Sequence, residues 1–193
     1  MRFNILFLLT VFVGLTFFSF VNEDRDKSSI YWDDRSLTWD DFKGHAPSST
    51  PYVALTFSSI KLLFGGEENE IWFTIETIFD PKQSWKKKNV DEFILKHEQG
   101  HFDITEIHSR LLRKKLAETK FKKYETIGSE VEKIFNANYK ACDKMQDQYD
   151  NETAHSKIKN EQVKWNNKIN QFLDSLSAFS MTELKLDVGY LTN

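Results

Sequence analysis

Apolar and polar residues alternate over two stretches in the first half of the chain. The first covers residues 53–64 and changes phase near residues 58–59, and the second covers residues 71–79. A period of two is typical of β-strands, and a one-residue change of phase indicates a β-bulge. The turn-rich spacer at residues 65–70 therefore predicts an antiparallel hairpin, whose second strand ends at Asp80-Pro81.

The hydrophobic period becomes helical from residue 90 onwards. Ser129 and Glu132 have the spacing of a capping box at the start of the second helical stretch. Strands followed by helices predict an α+β domain, in which a small antiparallel sheet, formed by the N-terminal hairpin, packs on the helices. We place this single domain at residues 28–193. The predicted helices cover residues 90–115, 129–148 and 162–176.

The first residues of the chain have the layout of an export signal. Residues 5–21 carry no charge, follow Arg2 and precede the charged residues 23–27. This layout predicts an exported protein, whether periplasmic, secreted or tethered to the outer face of the cytoplasmic membrane. The apolar run is long and lacks a clear cleavage site, so residues 1–22 are either a signal peptide or a membrane anchor, and only an uncleaved leader would contact the membrane. The polar residues 22–36 predict little fixed structure.

Charge and cysteine content narrow the class of protein. The 193 residues include 26 Lys and Arg against 29 Asp and Glu, which gives a net charge of -3. A protein held by nucleic-acid phosphates needs a concentrated basic surface, so we expect no nucleic-acid partner. Cys142 is the only cysteine, so no internal disulfide can form and the fold depends on its core or on a metal.

A short motif in the first predicted helix carries metal chemistry. His97-Glu98-Gln99-Gly100-His101 is an HExxH sequence. On a helix the two histidines project about 40° apart with ~6 Å of rise, so both imidazoles can bind one ion. Glu98 lies about 100° further round, where it can act as a general base. Both histidines lie on the apolar face, where they are either hydrogen-bonded core histidines or, as we predict, ligands of a shared Zn²⁺.

Three sequence blocks occur in the order found in one bacterial family. They are Leu37-x-Trp39-x-Asp41-Phe42-x-Gly44, the segment from His97 to Ile104 with Glu106 and Arg110, and Tyr149-Asp150-x-x-Thr153-x-His155 with Gln162-x-x-Trp165. Together they cover residues 37–173 and resemble the predicted secreted zinc-dependent proteases, a domain-of-unknown-function family placed near the zincins. The resemblance implies a zincin-like fold and a zinc-dependent protease, but no particular substrate. Members of that family often have Gly after the last histidine, where this chain has Ser156.

The third ligand of the predicted zinc site is less clear than the first two. A catalytic zinc usually has three protein ligands and one open position. His155 is the first choice, because a helix that runs back antiparallel after His101 would bring it to the site. Glu130 or Glu132 on that returning helix is the alternative. His108 lies ~10 Å further along the first helix than His101, so we interpret it as a core or supporting residue.

Four further polar residues have candidate roles. Tyr149 could donate a hydrogen bond to a developing oxyanion, and Asp150 could orient a ligand histidine, although either could simply cap a helix end. Asp103 and Glu106 lie away from the histidine stripe. We interpret them as a solvated face or as ion-pair partners, such as Glu106 with Arg110.

The predicted function is that of an exported zinc-dependent metallohydrolase, and more specifically a peptidase that acts on a peptide or protein substrate. Zinc-activated water would attack an amide carbonyl with Glu98 as general base and Tyr149 as the assisting donor. The predicted zinc ligands are His97, His101 and His155.

The predicted peptidase function also indicates how a substrate would bind. As in zincins, an edge strand within residues 53–64 or 71–79 would align an extended peptide.

The alternative function is a non-catalytic exported module that uses a structural metal or none. Glu98 separates the two, because a structural site has no use for a carboxylate beside its ligands.

Overall fold

The computed structural model describes residues 9–11, 25–67 and 69–191. Apart from residues 9–11, the predicted leader at residues 1–22 lies outside these ranges. Within them, no helix combines the length and the apolar character needed to cross a membrane. The strands are β1 (Leu9–Val11), β2 (Ile30–Tyr31), β3 (Ala54–Leu55), β4 (Ser58–Glu67), β5 (Glu70–Phe79), β6 (Trp85–Lys86) and β7 (Glu183–Asp187). The α-helices are α1 (Glu92–Ala117), α2 (Ile127–Thr153) and α3 (Lys159–Ser175), and short 3₁₀ segments lie at Trp39–Asp41, Tyr124–Thr126, Ser177–Phe179 and Gly189–Leu191.

A long hairpin forms the centre of the main sheet. β4 and β5 pair antiparallel along their whole length, from Ser58 opposite Phe79 to Glu67 opposite Glu70. β1 pairs parallel with β4, while β2 and β7 both pair antiparallel with β5. β3 and β6 form a separate two-stranded antiparallel sheet. The predicted α+β class and the antiparallel hairpin are therefore confirmed.

The phase change near residues 58–59 marks a break between the two sheets and not the predicted bulge. β3 ends before Thr56 and β4 begins after Phe57. The hydroxyl oxygen of Thr56 lies 3.1 Å from the carbonyl oxygen of Glu98, and the N–H of Phe57 donates to Ser84 Oγ at 2.9 Å. These contacts tie the two residues to α1 and to the segment before β6, so the chain passes from one sheet to the other.

Local hydrogen bonds set the starts of the helices. Asp91 caps α1, because its side chain accepts from the N–H of Ile94 at 2.9 Å. α2 starts two residues before Ser129, whose hydroxyl donates to the carbonyl oxygen of Thr126 at 2.9 Å. The predicted capping box of Ser129 and Glu132 is therefore wrong, because both residues already lie inside the helix.

The core surrounds α1 on both sides. Leu112 and Leu116 of its C-terminal half share a buried cluster with Phe73 and Ile75 of the hairpin. On the opposite side, Ile104 belongs to a second cluster formed with α2 and α3. α1, whose N-terminal half carries the HExxH motif, is thus fixed by the packing of all three helices and the sheet. The second cluster consists of Ile104, Ile107, Cys142, Tyr149, Trp165, Ile169 and Leu176.

Four short strands, β1, β2, β6 and β7, have no counterpart in the sequence-based prediction. β2 lies in residues 22–36, for which the sequence predicts little fixed structure, yet Tyr31 is buried there beneath the guanidinium of Arg25. β7 follows a long helical region and has only five residues, with half-buried Leu184 and Leu186 on one face. Segments this short provide too few periods for the hydrophobic pattern to be distinctive.

The polar side of α1 is also more buried than its sequence indicates. Glu106 is buried, so its interpretation as part of a solvated face is wrong. Its Oε1 accepts from Arg110 Nε at 2.9 Å and from Arg113 Nη1 at 3.1 Å, and its Oε2 accepts from Thr77 Oγ1 at 2.6 Å. The predicted ion pair with Arg110 is confirmed, but it lies inside the protein because β5 covers this side of the helix.

Candidate metal centre

The HExxH motif lies on the wall of a cleft beside the end of α2. Asp150 is in the last turn of α2, which runs back along α1 so that Gln146 contacts His101 while Asn138 contacts His108. The cleft has a volume of about 530 Å³. Residues 51–56 form one wall, and α1, the end of α2 and the turn that follows it form the other.

Three side chains converge here that could hold a metal ion. The Nε2 atoms of His97 and His101 each lie 3.1 Å from Asp150 Oδ1, and the three ligand atoms are within 4.8 Å of one another. Ligands of a tetrahedral zinc, at bond lengths of ~2.1 Å, lie about 3.4 Å apart, so these spacings are compatible with one shared ion. Imidazole nitrogen and carboxylate oxygen are both donors that zinc accepts. The donor set therefore fits zinc.

Glu98 lies in the same cleft and outside this donor set. Its side chain is only 4% exposed, and Oε2 accepts a hydrogen bond from the Thr56 hydroxyl at 2.8 Å. The helix places it beside the two histidines, as the motif predicts. The carboxylate thus lies where a general base would stand beside a candidate metal site.

His155 lies on an unusual turn directly after α2. Ala154, His155 and Ser156 have φ angles of 48°, 53° and 69°, so three successive non-glycine residues are left-handed. Each such residue costs roughly 1–2 kcal/mol. The turn brings His155 Nδ1 to 3.1 Å from Asp150 Oδ1 and its ring to 4.8 Å from the ring of Tyr52. His155 thus lies on the cleft wall next to the three candidate ligands, and Asp150 links it to the other two histidines.

Replacing Ser156 by glycine is expected to stabilise the protein. Glycine adopts positive φ without the steric penalty of a Cβ, so Ser156→Gly should raise the free energy of unfolding by about 0.5–1 kcal/mol. Chemical denaturation of the two proteins measures this difference. Ser156→Ala is the matched control, because it removes the hydroxyl but keeps the Cβ, and it should give no gain. An equal effect of both variants would show that the backbone conformation is not the cause.

Tyr149 lies behind the histidines and is not part of the cleft wall. Its ring stacks on His97 at 4.6 Å, and its hydroxyl donates to the carbonyl oxygen of His97 at 3.1 Å. Gly100 makes this approach possible, because a Cβ there would overlap the Tyr149 hydroxyl. The geometry favours a role in holding His97 over the predicted role as oxyanion donor.

Two opposite charges dominate the electrostatics of the site. Burial lowers the pKa of the His101 imidazole, but the adjacent Asp150 carboxylate outweighs it and raises that pKa to about 9. Burial raises the pKa of Asp150, but His101 and His97 together bring it well below its usual range. Because the folded-state pKa of His101 exceeds the unfolded value, the contribution of this ion pair to stability is complete below pH ~6.5 and is lost as the pH rises through about 9.

Zinc affinity is therefore expected to increase with pH. The ion must displace the proton from His101, whose pKa is raised to about 9, so the dissociation constant should fall by about tenfold per pH unit between pH 7 and 8.5. Competition against a chromophoric chelator of known proton affinity measures this. A dissociation constant independent of pH in this range would contradict a charged His101 in the metal-free protein.

The other candidates from the sequence lie elsewhere. Glu130 is in the first turn of α2, where it accepts from Thr126 Oγ1 at 2.6 Å, and Glu132 is close by. Their turn is about 30 Å along the helix from Asp150, which removes them from the site. His108 is buried, its Nδ1 lies 3.4 Å from Asn138 Oδ1, and its Nε2 has no hydrogen-bond partner among the described residues. This burial lowers the pKa of His108, which fits the predicted core role.

Three contacting residues of the site have no sequence-based prediction. Gln146 and Gln162 contact the Nδ1 atoms of His101 and His97, and Thr56 holds Glu98. Gln162 lies in the last of the three sequence blocks, and Gln146 lies one turn before Asp150, but neither position indicates a contact with a histidine ring.

Comparisons with known proteins give one match, and it covers part of this site. Neither a curated protein nor a solved structure matches the chain. The part of the chain that does match carries the HExxH helix, Asp150 and His155. Residues 77–156 match the model of a family described as a bacterial protein of unknown function (DUF922).

Proposed function

We propose that the protein is a zinc-dependent metallohydrolase and more specifically a peptidase. One observation carries the proposal: the ligand atoms of His97, His101 and Asp150 converge in the same cleft that Glu98 lines. This combination is what a catalytic HExxH site requires, because a general base stands beside the ligands without being one of them. A zincin-like fold is part of the same proposal.

In this proposal each residue has a separate role. His97, His101 and Asp150 hold the ion, which when bound lowers the pKa of water and polarises a carbonyl group. Glu98 accepts the proton that the attacking water loses, and it returns this proton to the leaving amine. Thr56 orients Glu98 through the hydrogen bond to Oε2. Tyr149 and Gly100 keep His97 in place behind the cleft.

His155 has a supporting role in the proposed site. Its Nδ1 lies within hydrogen-bond distance of Asp150 Oδ1, so a proton on that nitrogen would fix the orientation of the carboxylate. The ring also forms part of the cleft wall together with Tyr52. The prediction that His155 is itself the third ligand stays a prediction.

The wall opposite α1 supports docking of an extended peptide. The N–H of Lys87 donates to the carbonyl oxygen of Val53, so one edge of β3 is already paired with β6 and the residue after it. Because backbone groups alternate along a strand, those of Ala54 point to the other side. Residues 51–56 line the cleft, and strand addition to this side would place a substrate amide next to Glu98.

A second function is favoured by the position of Asp150. Its Oδ1 lies 3.1 Å from nitrogens of three histidines, His97, His101 and His155. If all four residues bound the ion, the tetrahedral shell would be closed and the metal would only brace the fold. The protein would then be a non-catalytic binding module. Glu98 would have no chemical task in that module.

Hydrolysis of unmodified peptides by the purified, zinc-loaded protein tests the proposal. A mixed peptide library is incubated with the protein and the products are identified by mass spectrometry. We expect new amino and carboxyl termini at internal peptide bonds, their loss on addition of a chelator, and their return with Zn²⁺. Stoichiometric zinc without any cleavage, together with a zinc spectrum of four protein ligands, would favour the structural module.

A further inference from the structure

Each histidine of the HExxH motif contacts a buried glutamine through Nδ1, the ring nitrogen that points away from Asp150. His101 Nδ1 lies 2.6 Å from Gln146 Oε1, and His97 Nδ1 lies 2.8 Å from Gln162 Oε1. Gln146 is on α2 and Gln162 is on α3, and both are buried. Two long amides from different helices thus serve the same purpose on two rings.

The orientation of the Gln146 amide follows from its other contacts. Its Nε2 donates to the carbonyl oxygen of His101 at 2.9 Å and to Thr105 Oγ1 at 3.2 Å. A backbone carbonyl can only accept, so the NH₂ group must face it and Oε1 must face the imidazole. His101 Nδ1 is therefore the donor in this contact and carries a hydrogen.

The same reasoning applies to Gln162 through Tyr149. The Tyr149 hydroxyl donates its hydrogen to the carbonyl oxygen of His97, so its oxygen accepts from Gln162 Nε2 at 2.5 Å. Gln162 Nε2 also donates to Asn166 Oδ1 at 2.9 Å. The remaining Oε1 faces His97 Nδ1, which must carry a hydrogen as well.

Each histidine is consequently held at two points, its ring nitrogen and its own backbone carbonyl. Gln146 contacts both groups of His101, and Gln162 with Tyr149 contacts both groups of His97. With hydrogen on Nδ1, a ring that gives up its Nε2 proton has its lone pair on Nε2, the atom that faces Asp150.

We propose that Gln146 and Gln162 are positioning residues that select the Nδ1–H tautomer of both histidines and so present two Nε2 lone pairs to the metal. This inference rests on the proposed zinc site and adds the reason why that site needs α2 and α3. The acceptor oxygen of each glutamine selects the tautomer, and its NH₂ group orients the amide.

Pairs of variants at each glutamine separate this role from a purely structural one. Gln→Met keeps the length of the side chain but removes both the acceptor and the donor, whereas Gln→Glu keeps the acceptor and removes only the donor. The readout is the zinc dissociation constant of the folded protein, measured by chelator competition, with the absorption spectrum of the cobalt-substituted protein as a second measure of ligand geometry. Gln148→Met, at an exposed position on α2, is the control.

We expect Gln146→Met and Gln162→Met each to weaken zinc binding by about 10- to 100-fold, and the Glu variants to remain within about threefold of the unsubstituted protein. Equal weakening by Met and Glu at a position would overturn the inference, because the lost donor would then be the cause. Unchanged zinc affinity in both Met variants would overturn it too. If a Met variant fails to fold, the Glu variant of the same residue decides through its zinc affinity. A failure of the unsubstituted protein to bind zinc would reject the proposed function itself.

Discussion

Glu98→Gln is expected to bind zinc as well as the unsubstituted protein and to lose most of its peptidase activity. The amide has the same shape as the carboxylate and can still accept the hydrogen bond from Thr56, so the local packing is preserved. It cannot accept a proton from water at neutral pH. Removal of a general base costs about 10²- to 10⁴-fold in rate, and kcat/KM should fall by that factor.

Two measurements on the same preparations check this result. Elemental analysis gives the zinc content, and mass spectrometry of a cleaved library peptide gives kcat/KM. Glu92→Gln is the matched control, since Glu92 is an exposed residue in the first turn of the same helix and should tolerate the change without loss of activity. Full activity of Glu98→Gln would remove Glu98 from the mechanism. Loss of zinc from this variant would instead show that Glu98 is a ligand.

The elements that the sequence predicts well are the long periodic ones. The hairpin and α1 each repeat their pattern over many residues, so the hydrophobic period determines their type. The histidine pair is predictable for the same reason: four residues on one helix form a local geometry. The break at Thr56 and Phe57 appears as a phase change, but whether such a change is a bulge or a change of sheet depends on Ser84 and Glu98, which lie far away in sequence.

The part of the site that could not be predicted depends on how the helices pair. Asp150 meets His97 and His101 only because α2 aligns Gln146 with His101, and no local pattern determines this register. The left-handed turn at His155 contains no glycine, the usual sign of positive φ, so its direction is also absent from the sequence pattern. The sequence alone therefore does not identify the third ligand. The structure favours Asp150, because its carboxylate lies with the ligand atoms of His97 and His101.

Asp150→Asn is expected to weaken zinc binding by about 100-fold or more, and His155→Ala by no more than about tenfold. The substitution at Asp150 removes the only negative charge of the donor group and leaves a weakly donating amide oxygen in its place. His155 lies on the far side of Asp150 and contacts its Oδ1, so its removal should loosen the carboxylate without removing a ligand. Zinc dissociation constants from chelator competition at one fixed pH measure both effects.

The order of the two effects identifies the third ligand. A larger loss in His155→Ala than in Asp150→Asn would make His155 the ligand, as the sequence alone predicts, and Asp150 the residue that orients it. Equal and large losses would indicate that both bind, which closes the coordination shell and favours the structural module over the peptidase. Asp147→Asn is the control, because this exposed carboxylate lines the same cleft one turn before Asp150 and is not in the donor group. An equal loss in that variant would mean that the overall negative charge of the cleft, and not ligation, sets the affinity.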